Sequence, residues 1–219
     1  MNTSGDDSIF KALRLRMVAS QLRGRGIGDQ RVLDAMARVP RHEFALERYR
    51  DQAYEDHPLP IGEEQTISQP YIVALMLEAL ALSPADRVLE VGTGSGYVTA
   101  LLAELAAQVF SMERHAVLAD AARHLLDHLG YTNVRVMVGD GSRGFAEGAP
   151  YDAIIVSAAA TELPQALLAQ LAEGGRMIIP VGAPDSQQLQ LIRVENGQPR
   201  ITLRELCRFV PLVSGERGL

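Results

Sequence analysis

Residues 88–96 read VLEVGTGSG, and the reading of the fold turns on them. Val88, Leu89 and Val91 form a short apolar run broken only by Glu90, the pattern of a strand buried in a parallel sheet. Gly92, Gly94 and Gly96 follow as a turn with no side chains to keep a ligand off the backbone. Tyr97 to Ala107 then carries helical periodicity, so the turn opens onto a helix N-terminus. Strand, glycine turn and helix in that order predict the nucleotide-binding corner of a doubly wound α/β fold.

The glycine spacing narrows the ligand. A dinucleotide fingerprint needs its third glycine at position 97, where this chain has Tyr97, and the spacing here is G-x-G-x-G. Glu90, two residues before the turn, would oppose a pyrophosphate. Its charge suits a cationic ligand carrying an α-ammonium group and a sulfonium, which describes S-adenosylmethionine. Glu113 stands 21 residues beyond Gly92, after the apolar run from Val109 to Met112. An acid there can accept two hydrogen bonds from ribose hydroxyls. The plainer alternative is a solvated acid and an ordinary tight turn, but turn spacing and both acids agree on the cofactor.

Composition sets the class. The 219 residues are 47% hydrophobic with a mean hydropathy of +0.02, enough for a substantial core in a globular chain. A net charge of −6 argues against a surface dominated by nucleic-acid binding. Lys11, Arg14, Arg16, Arg23 and Arg25 make a local basic patch, read as the solvated face of a helix that packs through Leu13, Leu15, Val18 and Leu22. Cys207 is the single cysteine, which forbids an intrachain disulfide and fits a reducing compartment. The opening MNTSGDDS lacks a signal-peptide layout, and no apolar run approaches the ~20 residues of a membrane span. The expectation is a cytoplasmic protein.

Two helices are predicted over 9–26 and 29–39, with Asp29 as an N-cap. Prolines at 40, 58 and 60 break the stretch 41–64, which receives no assignment, and a helix is predicted from Pro70 to Leu82. Strands at 87–91, 108–112, 133–138, 153–157 and 175–181 then alternate with helices at 97–107, 115–129 and 162–172. Residues 188–195 and 200–210 read as two strands joined by the hairpin signal Asn196-Gly197. Asn-Gly is also prone to backbone damage, because small Gly197 lets its nitrogen reach the Asn196 side chain. The fold class is α/β with a doubly wound, mostly parallel sheet, an N-terminal helical extension and an antiparallel C-terminal edge. One domain is expected over 1–219, divided into an extension (1–82), a cofactor-binding core (83–182) and terminal strands (183–219).

Upstream, Ile61 to Tyr71 reads IGEEQTISQPY and leads straight into a helix. Its hydroxyls, amides and helix-start N–H groups can bind a carboxylate, although taken alone Ser68 or Gln69 capping the Pro70 helix is the simpler reading. Beside the glycine turn the balance reverses. The chain resembles the protein-L-isoaspartate O-methyltransferase family in MVASQLRGRGI (17–27), RVLDAMARVPRHEF (31–44), AYED (53–56), LPIGEEQTISQPY (59–71) and VLEVGTGSGYVTALLA (88–103). GDG (139–141), YDAIIVSAA (151–159), LAEGGRMIIPVG (171–182) and RFVPLVSGE (208–216) extend the resemblance.

The resemblance implies methyl transfer from S-adenosylmethionine, leaving S-adenosylhomocysteine, to the free α-carboxyl of isoaspartyl residues in damaged proteins and peptides. The ester then collapses to a succinimide that can reopen to aspartate. Ser68 becomes the active-site hydroxyl, with Gln65, Thr66, Ile67 and Gln69 beside donor and substrate. Glu90, Gly92, Thr93, Gly94, Gly96, Glu113 and Arg114 become cofactor residues, with Asp140 and Gly141 near the adenine and Ser157 and Ala158 at a strand end facing the cofactor. Family members commonly carry glycine where this chain has Glu64, so loop mobility and substrate affinity are expected to differ. Neither a metal, nucleic acid nor a membrane is implied, and a monomer is expected. His124 and His128 with Asp120 read as a solvated face rather than a metal site. His42 and His57 are spare bases, Cys207 is packed, and Met17, Met36 and Met76 fill the core. Two rivals remain: a methyltransferase for a small molecule or RNA, and a cofactor-binding adaptor without turnover.

Overall fold

The computed structural model describes residues 3–215, with side chains from Ser8 onward. Helix α1 (Thr3–Arg16) runs on into a wider π-type turn at Met17–Leu22 and a tight turn at Arg23–Arg25. One regular helix over 9–26 was expected; the widened turn is where Met17, Val18 and Leu22 enter the core. Helix α2 (Gln30–Arg38) starts at the expected cap, the Asp29 side chain accepting from the backbone N–H of Arg31 at 2.8 Å and of Val32 at 3.4 Å. The stretch left unassigned contains two tight turns (Arg41–Phe44 and Glu47–Gln52) and a small antiparallel hairpin of β1 (Leu59–Gly62) and β2 (Gln65–Ile67). Helix α3 (Pro70–Leu80) follows directly, with Pro70 in its first turn.

The main sheet is built from β3 (Arg87–Val91), β4 (Gln108–Glu113), β5 (Val134–Val138), β6 (Tyr151–Val156), β7 (Leu171–Ala183), β8 (Ser186–Glu195) and β9 (Gln198–Cys207). Their order across the sheet is β5-β4-β3-β6-β7-β8-β9. The first five lie parallel; β7–β8 and β8–β9 pair antiparallel. The chain adds β4 and β5 on one side of β3, then returns to add β6 on the other. That reversal opens a crevice beyond the carboxyl ends of β3 and β6, where ligands of such sheets bind.

Two-residue alternation along the parallel strands divides the core. Val88, Val109, Ala153 and Ile155 pack with α3, with α4 (Tyr97–Leu105) and with α5 (Ala116–His128) in one cluster. Leu89, Phe110, Ile154 and Val156 join Tyr151 and Met177 in a second cluster on the opposite face. Met17, Met36 and Met76 are buried in the first cluster, as expected of core filling.

The helix predicted over 162–172 is a correction: only α6 (Gln165–Leu168) forms. Pairing takes its C-terminal end, since Leu171 already lies opposite Tyr151 and the Tyr151 N–H donates to the Gln170 carbonyl at 2.9 Å. Tertiary pairing overrides helix propensity there. At the other edge, Asn196 and Gly197 turn β8 into β9 with φ of 54° and 70°, as the hairpin signal requires.

Candidate functional site

Three strand ends and the glycine turn are tied together by backbone bonds. Gly92 N–H donates to Met112 O at 2.8 Å, and Ser157 N–H donates to Val91 O at 2.8 Å. Gly94 shows why the turn needs glycine: its φ is +54°, and a Cβ would stand 3.2 Å from Ile61 Cδ1. Its N–H donates to Glu113 Oε2 at 2.8 Å, while Glu113 Oε1 accepts from the His115 N–H at 2.9 Å. Gly141 allows another close approach, since a Cβ there would fall 2.5 Å from Val91 Cγ1.

These groups line a cavity at the crevice: Gly92, Thr93, Gly94, Glu113, Arg114, Gly141 and Ser157 from the α/β core, with Gln65, Thr66, Ile67 and Ser68 from the hairpin side. Gly96 sits one step back, in the left-handed conformation that starts α4. Asp140 also stays off the wall and works as a tie. Its carboxylate accepts from the Ser142 N–H and hydroxyl and from the Gly215 N–H. Burial pushes the Asp140 carboxyl up, but these hydrogen bonds and nearby Arg143 outweigh it and hold the pKa below the ordinary value.

Glu90 requires a correction. Its carboxylate does not line the cavity; it is fully buried between sheet and helix, accepting from Thr99 Oγ1 at 2.6 Å and Ser111 Oγ at 2.5 Å. Burial pushes its pKa up to about 8, against the lowering effect of the two hydroxyls and with a contribution from Glu113. Burial thus favours its neutral form, and its position away from the cavity keeps its carboxyl from a ligand there. Alternation along β3 is the reason, since Glu90 shares the face of Val88 rather than the mouth of the crevice.

A second cavity adjoins the first, and the two share Thr66, Ser68, Ser157, Val210 and Pro211. Gln69 lines only the second, together with Arg25, Tyr71 and Arg208. Ser68 therefore stands at the junction. Its hydroxyl has no hydrogen-bond partner among the described residues, and neither it nor the Gln69 side chain caps α3. Its carbonyl accepts from Arg41 Nη2 at 2.9 Å, while Arg41 Nε donates to Ala53 O at 2.7 Å. Arg41 is wholly buried, with its guanidinium 4.8 Å above the Tyr97 ring. Burial pulls its pKa down, against the opposing effect of Tyr97, Tyr54 and Asp56. Behind the helix start, Asp56 accepts the Tyr71 N–H at 3.0 Å and pairs with Arg25, whose guanidinium lies 3.5 Å from the Tyr71 ring centroid.

Glu63 and Glu64 form the hairpin turn with φ of 49° and 58°, conformations that glycine adopts without strain. Glu63 Oε2 lies 3.1 Å from His115 Nδ1, which ties the hairpin to the loop after β4.

Sequence reasoning missed the strap from Val210 to Val213 as a site element. It lines the first cavity and is held by Ala159, whose N–H donates to Val210 O and whose carbonyl accepts the Leu212 N–H, both at 2.7 Å. Arg114 Nη1 clamps its far end through the carbonyls of Val213 (3.0 Å) and Gly215 (2.8 Å). The other candidates lie elsewhere or are packed. His42 is buried against Tyr54 and stacked on Phe10. His57, its pKa raised first by a hydrogen bond with the Pro58 backbone, pairs with Glu55. Asp120 pairs with Arg123. Cys207 lines the second cavity, its thiol pushed up to about 11 by burial. Among the described residues no group of three or more His, Cys, Asp or Glu side chains could hold a metal.

Comparison with known proteins decides the family. The profile of protein-L-isoaspartate(D-aspartate) O-methyltransferase matches residues 14–217. The chain belongs to this family. A protein-L-isoaspartate O-methyltransferase of Koribacter versatilis is 58% identical over 216 residues, covering 99% of this chain and 97% of its own. That of Syntrophus aciditrophicus is 54% identical, covering 95% and 97%. Among solved structures, a putative protein-L-isoaspartate O-methyltransferase of Plasmodium falciparum, in complex with S-adenosyl-L-homocysteine, superposes with a TM-score of 0.80. It is 29% identical, over 91% of this chain and 98% of that one. Another protein-L-isoaspartate O-methyltransferase gives 0.83 at 30% identity, over 92% of this chain and 66% of its own.

Proposed function

We propose that the first cavity takes S-adenosylmethionine and the second takes the isoaspartyl segment of a damaged protein or peptide, so that methyl transfer occurs at Ser68. Membership of the family and the likeness to a relative with bound S-adenosylhomocysteine support the cofactor and the reaction: an S-adenosylmethionine-dependent O-methyltransferase that repairs isoaspartyl proteins. The observation that carries the site reading is the adjoining of the two cavities along Thr66, Ser68 and Ser157.

The lining fits the cofactor. Glu113 offers acceptor lone pairs beyond the two backbone bonds it already makes, and the glycine turn brings bare backbone against the ligand. When bound, S-adenosylmethionine supplies a methyl group activated on a sulfonium. The substrate carboxyl, with a pKa near ~4, is already ionised at neutral pH and needs no base. The chain's task is orientation. The Ser68 hydroxyl donates to one carboxylate oxygen while Arg41 fixes the Ser68 backbone from behind. The strap and the hairpin form part of the site's wall. Holding two reactants in line in this way contributes roughly 7–11 kcal/mol to lowering a barrier.

The same reading extends to the setting. An ionised nucleophile needs no metal, and one copy of the chain carries both cavities, so a monomer suffices. The net charge of −6 gives nucleic acid no general attraction. No helix among the described residues is long and apolar enough to cross a membrane. A lone cysteine suits the cytoplasm. Ser68→Ala tests the junction: kcat/KM for an isoaspartyl peptide should fall by about tenfold, the worth of one charge-assisted hydrogen bond. Calorimetric affinity for S-adenosylhomocysteine should stay intact. Unchanged turnover, or equal losses of both, contradicts the assignment.

A further inference from the structure

The turn joining β8 to β9 is itself a chemically fragile spot. In an Asn-Gly pair the glycine nitrogen loses its proton and attacks the side-chain carbonyl carbon. Ammonia leaves, and a five-membered succinimide remains. Water then opens the ring at either carbonyl, giving aspartate or isoaspartate. Asn196 and Gly197 are exposed at the hairpin tip, where glycine puts no side chain in the way.

Both backbone N–H groups of this turn are held by one carboxylate from a different strand. Asn196 N–H donates to Glu173 Oε1 at 2.6 Å, and Gly197 N–H donates to Glu173 Oε2 at 2.9 Å. Glu173 lies near the start of β7, on the far side of β8 from β9. It makes no ion pair among the described residues. The hairpin does not need it to turn, since Glu195 already pairs with Gln198 and both central residues hold left-handed φ.

We propose that Glu173 is a guard carboxylate that suppresses isoaspartate formation at Asn196 by holding the attacking nitrogen of Gly197. The held N–H points at an oxygen of the guard. A negative charge beside that nitrogen opposes removal of its proton. Ring closure also requires the backbone between the two residues to rotate, which breaks both bonds to Glu173 and strains the Glu195–Gln198 pair beside them. The opposite role is chemically definable as well: the same carboxylate could take the Gly197 proton and speed attack. The two roles differ in sign.

The test is an ageing experiment on the full chain without S-adenosylmethionine, so its outcome is independent of the proposed activity. Parent, Glu173→Gln and Glu173→Ala proteins are incubated at mildly alkaline pH, and peptide mapping measures ammonia loss and isoaspartate at Asn196. Circular dichroism checks the fold, which an exposed position should leave intact. Both variants should deamidate at Asn196 about fivefold to tenfold faster, as expected for losing charge-assisted hydrogen bonds at an exposed site. The alanine variant should be the faster of the two. Equal rates in all three proteins, or slower damage in the variants, would overturn the guard role.

Discussion

The glycine turn at 92–96 and the hairpin of β1 and β2 both border the first cavity, yet they are held by different means. The turn hangs from buried parallel strands. Val88, Leu89 and Val91 are at most 2% exposed, and the bonds that fix the turn come from neighbouring strand ends. The hairpin, with seven strand residues, lies outside the main sheet. Its exit at Ser68 is held by side chains reaching in from earlier segments: Arg41 on the Ser68 carbonyl and Asp56 on the Tyr71 N–H. The wall proposed for the cofactor is thus set by backbone packing, and the wall proposed for the substrate by a few long-range polar bonds. Such a wall depends on single residues in a way that a buried sheet does not.

The largest expected effect lies inside the cofactor wall and depends on pH. Glu90 ionises near 4.5 when unfolded, but stays protonated up to about 8 in the folded chain. The folded state then holds a proton that the unfolded state has lost. Stability should therefore fall as pH rises through that window by about 1.4 kcal/mol per unit, accumulating to roughly 5 kcal/mol and levelling off above it. Glu90→Gln keeps the shape and removes the titration. Urea melts from pH 5 to pH 9 should show its stability relative to the parent rising through the window. Parallel curves would mean that Glu90 is ionised in the fold.

Arg41→Met attacks the substrate wall. It leaves the Ala53 and Ser68 carbonyls without their buried donor, an expected loss of about 3 kcal/mol in denaturant unfolding. The contrast sharpens if peptide turnover falls further than S-adenosylhomocysteine affinity, and breaks if both fall together. Glu113→Ala attacks the cofactor wall, and its affinity for S-adenosylhomocysteine should drop by roughly 1.5–3 kcal/mol, about tenfold to a hundredfold. Ser68→Ala has the smallest expected effect on stability, below about 0.5 kcal/mol, because the hydroxyl caps nothing; a helix cap would cost about 1 kcal/mol.

The same contrast explains what could be read from the sequence. The corner from Val88 to Glu113 was legible because strand periodicity, turn glycines and helix start are all local signals. The Asp29 cap and the Asn196-Gly197 turn were legible for the same reason. Glu90 was misplaced because distance along a strand does not say which buried face a residue takes. The strap at 210–213 lay inside the quoted RFVPLVSGE, but no local signal placed it at the cavity; its position rests on Ala159 and Arg114, both distant in sequence. Arg41 lay inside a quoted motif, but only folding shows that its side chain reaches Ser68, 27 residues away.

The most direct test compares initial rates of labelled methyl transfer from S-adenosylmethionine to two peptides identical except for an aspartyl or an isoaspartyl linkage. The isoaspartyl backbone runs through the side-chain carbonyl, so its free carboxylate stands one methylene closer to the chain. A site that aligns an oxygen with a methyl group loses on the order of 100-fold when that oxygen is displaced by about 1 Å. The isoaspartyl peptide should therefore be methylated at least that much faster. Comparable rates on both peptides, or methylation of a small molecule or RNA with none of the isoaspartyl peptide, would contradict the account.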